Sequence, residues 1–404
     1  MQLRNYVLIT AGYWAFTLTD GALRMLVLLH FHDLGYSPIS LAFLFLLYEL
    51  MGVATNVLGG WVGARRGLNQ TLLAGLTLQV VALVVLSLHV DTWVEWLSVA
   101  YVMSAQALSG VAKDLTKMSS KSAVKFVAGK GALFRLVAIL TGSKNALKGL
   151  GFFLGAALLS ALGFDDALRL MAGCIAVTLL AVAVWLDDDI GMAKEKPPLA
   201  SVLSKSVGVN RLSGARFFLF GSRDVWFVVA LPVFLDEVLQ WSFEATGAFL
   251  ATWVIGYGMV QSVAPRLVRQ GDDIAAAQRW AFALVVVSAV IAAGVTVEDL
   301  RTPVVVGGLV AFGVVFAVNS SLHSYLILAY AADDEVSMDV GYYYSANAAG
   351  RFVGTFLSGV LYLWGGLEAA MWGSAVFVAI TWLLARRLPP LESPSAENAD
   401  ASAQ

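Results

Sequence analysis

The chain has 404 residues, of which 59% are hydrophobic and 13% charged, and its mean hydropathy is +0.77. A soluble globule needs about a quarter of its residues charged, so that class is excluded and a polytopic membrane protein is implied. The net charge of −2 says little, because in a membrane protein what matters is where the charges lie along the bilayer normal; the single Cys174 excludes an intramolecular disulfide and a multi-thiolate metal site.

Apolar runs of bilayer length, about 20 residues, fall near 6–30, 38–60, 70–90, 93–113, 132–160, 167–186, 212–235, 245–267, 276–296, 303–330, 338–364 and 367–387. The expected fold is therefore all-α, with about twelve transmembrane helices. The first run is too long for a signal-peptide core and carries Asp20 and Arg24, so it reads as the first membrane helix. Those two residues are i,i+4, which leaves open a self-contained ion pair or a share in a polar site. In the second run Glu49 has no local partner, which suits either a coupling carboxylate or a hydrogen-bonded buried one. The fourth run ends in KDLTKMSSKSAVK (113–125), where Lys113, Lys117, Lys121 and Lys125 recur every four residues. They read either as inside-positive anchoring or as an electrostatic funnel for a cytoplasmic anion at the pore mouth.

The fifth run places Lys144 and Lys148 on one helical face, where two like charges repel in low dielectric and a bound anion between them would remove the penalty. Asn145 between them could ligate substrate or bridge helices. The sixth run closes an N-terminal six-helix bundle, 1–186; a polar, Pro-containing connection, 187–211, leads into a second bundle, 212–388, and a Pro/Ser/Ala-rich tail, 389–404, is expected to be disordered. In the seventh run Arg216 lies about one turn inside the apolar boundary, where its side chain can snorkel to headgroups. Arg223 and Asp224 are adjacent, so their backbone directions differ by about 100° and the expectation is that they do not simply pair with each other. The eleventh run adds Asn347 and Arg351.

The halves resemble each other. SKNALKGLGFF (143–153) matches SANAAGRFVGT (345–355) as Ser-x-Asn-Ala about 202 residues on, and Gly52 and Gly67 match Gly256 and Gly271 at about 204. A parallel six-helix duplication about a central loop is the pattern of the major facilitator architecture. Placing both termini and the central loop in the cytoplasm puts Arg4, Arg65, Arg66, Lys113 to Lys130, Lys194, Lys196, Lys205, Arg266, Arg269, Arg279, Arg386 and Arg387 inside, with Arg169 and Arg301 outside. At membrane depth, six basic residues (Arg24, Lys144, Lys148, Arg216, Arg223, Arg351) face three acidic ones (Asp20, Glu49, Asp224). Each buried charge costs about 2.5–3.5 kcal/mol on insertion scales. The cationic excess fits an anionic substrate, with Arg24, Lys144, Lys148, Arg223, Arg351, Asn145 and Asn347 binding it and Asp20, Glu49 and Asp224 coupling or orienting.

Other signals are weak. GLGFFLG (149–155) lies inside a membrane helix and suits close packing better than a dinucleotide. His30, His32, His89 and His323 show no ligand spacing, and no metal site is expected. No Ser-His-Asp, Walker or paired-carboxylate constellation is visible, so neither an enzyme nor a cofactor is expected, and no nucleic-acid partner.

GYWAFTLTDGALRMLVLLHFHDLGYSP (12–38), AQALSGVAKDLTKMSSKSAVK (105–125), VAILTGSKNALKGLGFFLG (137–155) and GSRDVWFVVALPVF (221–234) resemble the ArsJ-type organoarsenical efflux permeases of the major facilitator superfamily. The resemblance covers all but the polar tail. It implies export of 1-arseno-3-phosphoglycerate across a bacterial inner membrane, with a glyceraldehyde-3-phosphate dehydrogenase as the partner that makes the ester from arsenate. The alternatives are a transporter or exchanger of ordinary organophosphates and a non-transporting receptor on the same fold. One departure concerns the wider superfamily: GWVGARRGLN (60–69) keeps Gly60, Arg65 and Gly67 of the usual gating motif but has Ala64 where that motif carries Asp.

Overall fold

The computed structural model describes residues 2–36, 44–128, 131–186, 205–268, 272–332 and 334–391. Lys130, Lys194, Lys196, Arg269 and Gly271, most of the central connection and the tail beyond Leu391 lie outside the described residues, as does the side chain of Glu49. The described elements are helical: α1 (Gln2–Asp33), α2 (Leu46–Arg66), α3 (Leu68–Leu86), α4 (Glu95–Val127), α5 (Leu133–Leu162) and α6 (Phe164–Trp185), then α7 (Val207–Phe227), α8 (Ala230–Glu237), α9 (Phe243–Val263), α10 (Asp273–Gly294), α11 (Arg301–Tyr330) and α12 (Val336–Ala385). Ser206 and Ser242 cap α7 and α9 by accepting from the Val209 and Ala245 amides. The apolar run at 212–235 is divided near Val228 into α7 and α8. The fifty residues of α12 contain two spans, because Gly365 and Gly366 leave helical geometry and Gly366 takes φ 62°, a left-handed conformation open to glycine at little cost. With that break, the helices follow the twelve apolar runs. Among the described residues, eight helical stretches are long and apolar enough to cross a membrane by composition.

Two apolar cores hold the bundle. One joins α1, α3, α4 and α6 and extends to the near ends of α7, α11 and α12; the other centres on Trp226, Trp253, Phe312 and Phe316 in the second half. Small residues set the tightest crossings, as expected where lipid supplies no hydrophobic drive between helices. A Cβ on Gly155 of α5 would overlap the Ala22 carbonyl of α1, and one on Gly350 of α12 would overlap the Phe217 carbonyl of α7. The first half thus packs α1 on α5 as the second packs α7 on α12.

The halves meet at the end of the bundle that carries the termini. There the Ser337 hydroxyl donates to the Gly60 carbonyl (2.7 Å), Ser345 to that of Val53 (2.8 Å), and the Phe134 and Tyr325 rings stack at 4.8 Å. Ala64, at the position where the gating motif carries Asp, packs with Met338 in a small apolar cluster flanked by Val57 and Trp61. An apolar contact between α2 and α12 occupies the place of the acidic lock.

Candidate substrate site

A cavity of about 310 Å³ lies between the halves, and nine basic side chains line it: Arg24, Lys113, Lys117, Lys121, Lys144, Lys148, Arg216, Arg223 and Arg351. Among the described residues, Asp20 and Asp114 are the carboxylates on its wall, with Asp224 fully buried behind Arg223 and Arg351. Asn145 and Asn347 also line it, so the substrate residues inferred from sequence converge on one space.

The acids each serve neighbouring cations. Asp20 of α1 reaches across to Lys148 of α5 (3.0 Å) and accepts from the Tyr48 hydroxyl, while the Arg24 guanidinium lies 4.4 Å from the centre of the Tyr48 ring. Asp224 of α7 accepts from Arg351 of α12 (2.9 Å) and pairs with its neighbour Arg223 (2.5 Å). That last contact corrects the expectation that adjacent residues would not pair: the arginine side chain is long enough to fold back and bring Nε and a terminal nitrogen onto Oδ1. Asp20 and Asp224 are 204 residues apart and Lys148 and Arg351 are 203 apart. Each half therefore holds one equivalent carboxylate–cation pair.

Three cations are held by neutral groups. Lys121 donates to the Tyr344 hydroxyl (2.7 Å) and Lys144 to the Asn145 amide oxygen (3.1 Å). Arg216 donates to the Asn347 amide oxygen (3.0 Å) and to the Ser320 carbonyl (3.2 Å), with its guanidinium 3.8 Å from the centre of the Phe220 ring. The amides extend the scaffold: Asn145 donates to Gln261 (2.6 Å), and Gln261 to Ser320 (2.9 Å), linking α5 through α9 to α11. Asn145 and Asn347 thus both bridge helices and face the cavity.

Two expectations are corrected here. Arg216 does not reach lipid headgroups: α7 starts at Val207, so Arg216 stands about two and a half turns in, and it is 2% exposed in the cavity wall. The lysine stripe, expected at a pore mouth where the helix leaves the membrane, lies instead along the central cavity. The α4 helix runs on past Lys113 to Val127, with Ser119, Ser120 and Ser122 buried against protein, and Lys113, Lys117 and Lys121 point into the cavity. Lys125 donates to the Ala331 carbonyl at the contact between the halves. Hydropathy missed this because a helix surrounded by protein need not be apolar. Lys117 is paired with Asp114, a residue that went unremarked; its one-residue offset from Lys113 on an otherwise cationic face was the available signal.

A membrane-spanning helical bundle with two equivalent halves around a polar, mid-bundle cavity is the form of a secondary transporter. The profile of the Major Facilitator Superfamily matches residues 9–322 and 212–404, and the chain belongs to that family of membrane transporters. Among solved structures, the human organic anion transporter MFSD10 (TETRAN) is 18% identical with a TM-score of 0.75, covering 95% of this chain and 99% of its own. A bacterial homologue of the iron transporter ferroportin, in an outward-facing state, is 12% identical with a TM-score of 0.77, covering 95% and 98%. The proton:xylose symporter XylE bound to 6-bromo-6-deoxy-D-glucose is 12% identical with a TM-score of 0.76, covering 96% of each chain. At these identities the likeness is one of fold. No curated protein matches the chain.

Proposed function

We propose that this transporter exports a small organic anion with two or more negative groups, specifically 1-arseno-3-phosphoglycerate, from the bacterial cytoplasm across the inner membrane, and so confers arsenate resistance. The observation that carries the anion is the trio Lys121, Lys144 and Arg216, the first and last buried and Lys144 half-buried, whose described partners are neutral, in a wall where, among the described residues, nine bases outnumber two acids. Desolvated charge of one sign is costly, and a multiply charged anion is the partner that offsets it. The same wall disfavours a cationic cargo such as the iron carried by ferroportin-type relatives. The choice of ester rests on the sequence resemblance.

In this reading Arg24, Lys144, Lys148, Arg223, Arg351 and Arg216 contact the anion, Asn145 and Asn347 orient it, and Asp20, Asp224 and Glu49 hold or couple the bases. With the termini cytoplasmic, as the distribution of lysine and arginine suggests, the contacts between the halves close the inner side and the cavity serves the outer face. A glyceraldehyde-3-phosphate dehydrogenase would supply the cargo. The test is arsenate survival of a sensitive strain carrying the transporter with and without an arsenate-accepting dehydrogenase. Protection only with both supports the ester. Absence of protection in both, with flux of 3-phosphoglycerate in proteoliposomes, favours an ordinary organophosphate carrier, and absence of any flux favours the receptor reading.

A further inference from the structure

We propose that His30, His89 and Asp91 form a binding site for one divalent transition-metal ion, zinc being the best-suited probe, at the end of the bundle opposite the termini. His30 closes α1, while His89 and Asp91 lie in the turn between α3 and α4, so the site would fasten that turn to the first helix. The residues are 59 and 61 positions from His30, a separation that hides them from any search for local ligand spacing.

The geometry is that of a three-ligand site. His30 Nε2 stands 3.0 Å and His89 Nδ1 3.4 Å from Asp91 Oδ1, and the three donor atoms lie within 4.8 Å of one another. Donors about 2.0–2.1 Å from a tetrahedral zinc are about 3.4 Å apart, so a shared ion needs only small shifts. Both rings are oriented from outside the cluster. The Ser98 hydroxyl engages His89 Nε2 at 2.7 Å, leaving Nδ1 for the ion, and that Nδ1 is buried with no hydrogen-bond partner. His30 stacks on Phe164 at 4.0 Å with an interplanar angle of 15°. Asp91 is 53% exposed, which leaves an entry path and a fourth position for water.

The surroundings add charge around the three donors. The Asp91 carboxylate faces both imidazoles and supplies the anionic ligand that a divalent ion favours. The adjoining hollow contains Asp165 and Asp166 at the start of α6, offset by Arg169, which pairs with Asp166 at 2.9 Å. None of the three ligands lines the central cavity, so the ion would be a resident clamp and not the cargo.

The experiment uses tag-free full-length protein in detergent, dialysed against chelator and then titrated calorimetrically with zinc chloride, with cobalt(II) as a spectroscopic substitute. The expected result is one saturable zinc per chain, a zinc-dependent rise in thermal midpoint, and visible d–d bands of a nitrogen/oxygen tetrahedral cobalt site. Asp91→Asn and His30→Ala should each weaken zinc binding about tenfold or more. Asp91 is exposed enough that its variant should fold, and an unchanged gel-filtration profile verifies this. No saturable heat up to roughly 1 mM zinc, or equal affinity in folded Asp91→Asn, overturns the site and leaves a histidine–carboxylate hydrogen bond in its place.

Discussion

Replacing Arg216 with glutamine should move transport and stability in opposite directions. Arg216 is 2% exposed and its described hydrogen bonds go to Asn347 and Ser320, so the empty protein carries a desolvated guanidinium held by neutral groups. Removing that charge lowers the desolvation cost, and buried charges exchanged for neutral groups of similar size are often neutral or stabilising by about 1–4 kcal/mol. With anion bound, a unit charge about 4 Å away contributes about 4 kcal/mol at an effective dielectric of 20. Part of this is offset by the hydrogen bond that glutamine keeps. A net loss of about 2–3 kcal/mol corresponds to roughly 30- to 140-fold weaker apparent affinity at 1.4 kcal/mol per decade. Arsenic efflux from cells that also carry the arsenate-accepting dehydrogenase, measured over a range of arsenate loads, gives the apparent KM, and a thermal melt of the empty protein in detergent gives the stability. A lower melting temperature with unchanged flux would falsify the reasoning and make Arg216 a clip between α7, α11 and α12.

Asp224→Asn leaves Arg223 and Arg351 facing each other without their carboxylate, at a cost of about 3–5 kcal/mol, and should lower the melting temperature; adding Arg351→Gln should recover part of it, and strict additivity in this double-mutant cycle would contradict the shared pairing. Lys148→Ala should abolish export while the protein still reaches the membrane, and unchanged export would remove Lys148 from the site. Gly155→Leu and Gly350→Leu should each destabilise the protein, because the new side chain meets the Ala22 or Phe217 carbonyl; membrane yield equal to that of the native chain in both variants would show that these crossings are not tight. Stability should fall as pH drops through 6.5, because the unfolded chain protonates His89 before the folded one does, and His89→Gln should flatten that slope.

Much of the architecture was legible because lipid imposes length and apolarity on whatever it touches, and the twelve runs register both. The convergence of Lys144, Lys148 and Arg351 was legible for a related reason: a charge in such a run has nowhere to go but inward. What failed were inferences that treated hydropathy as a ruler for helices facing protein. The polar stretch after Lys113 looked like an exit from the membrane, yet it is the continuation of α4 along the cavity. Arg216 looked peripheral because α7 begins five residues before the apolar run does. Arg223 and Asp224 were judged by backbone direction, whereas the arginine's several side-chain torsions let it turn back on its neighbour. The His30–His89–Asp91 group had no local signature, since it is assembled by the antiparallel return of the chain.

The two carboxylate–cation pairs each lie within one half, Asp20 with Lys148 and Asp224 with Arg351. Across the gap, Lys144 and Arg216 present like charges from opposite halves. With the proposed anionic cargo, an empty carrier would meet mutual repulsion when its walls approach, and a bound anion would convert that repulsion into attraction from both sides. Occupancy and occlusion would then be the same electrostatic event, which disfavours an idle cycle that leaks without cargo.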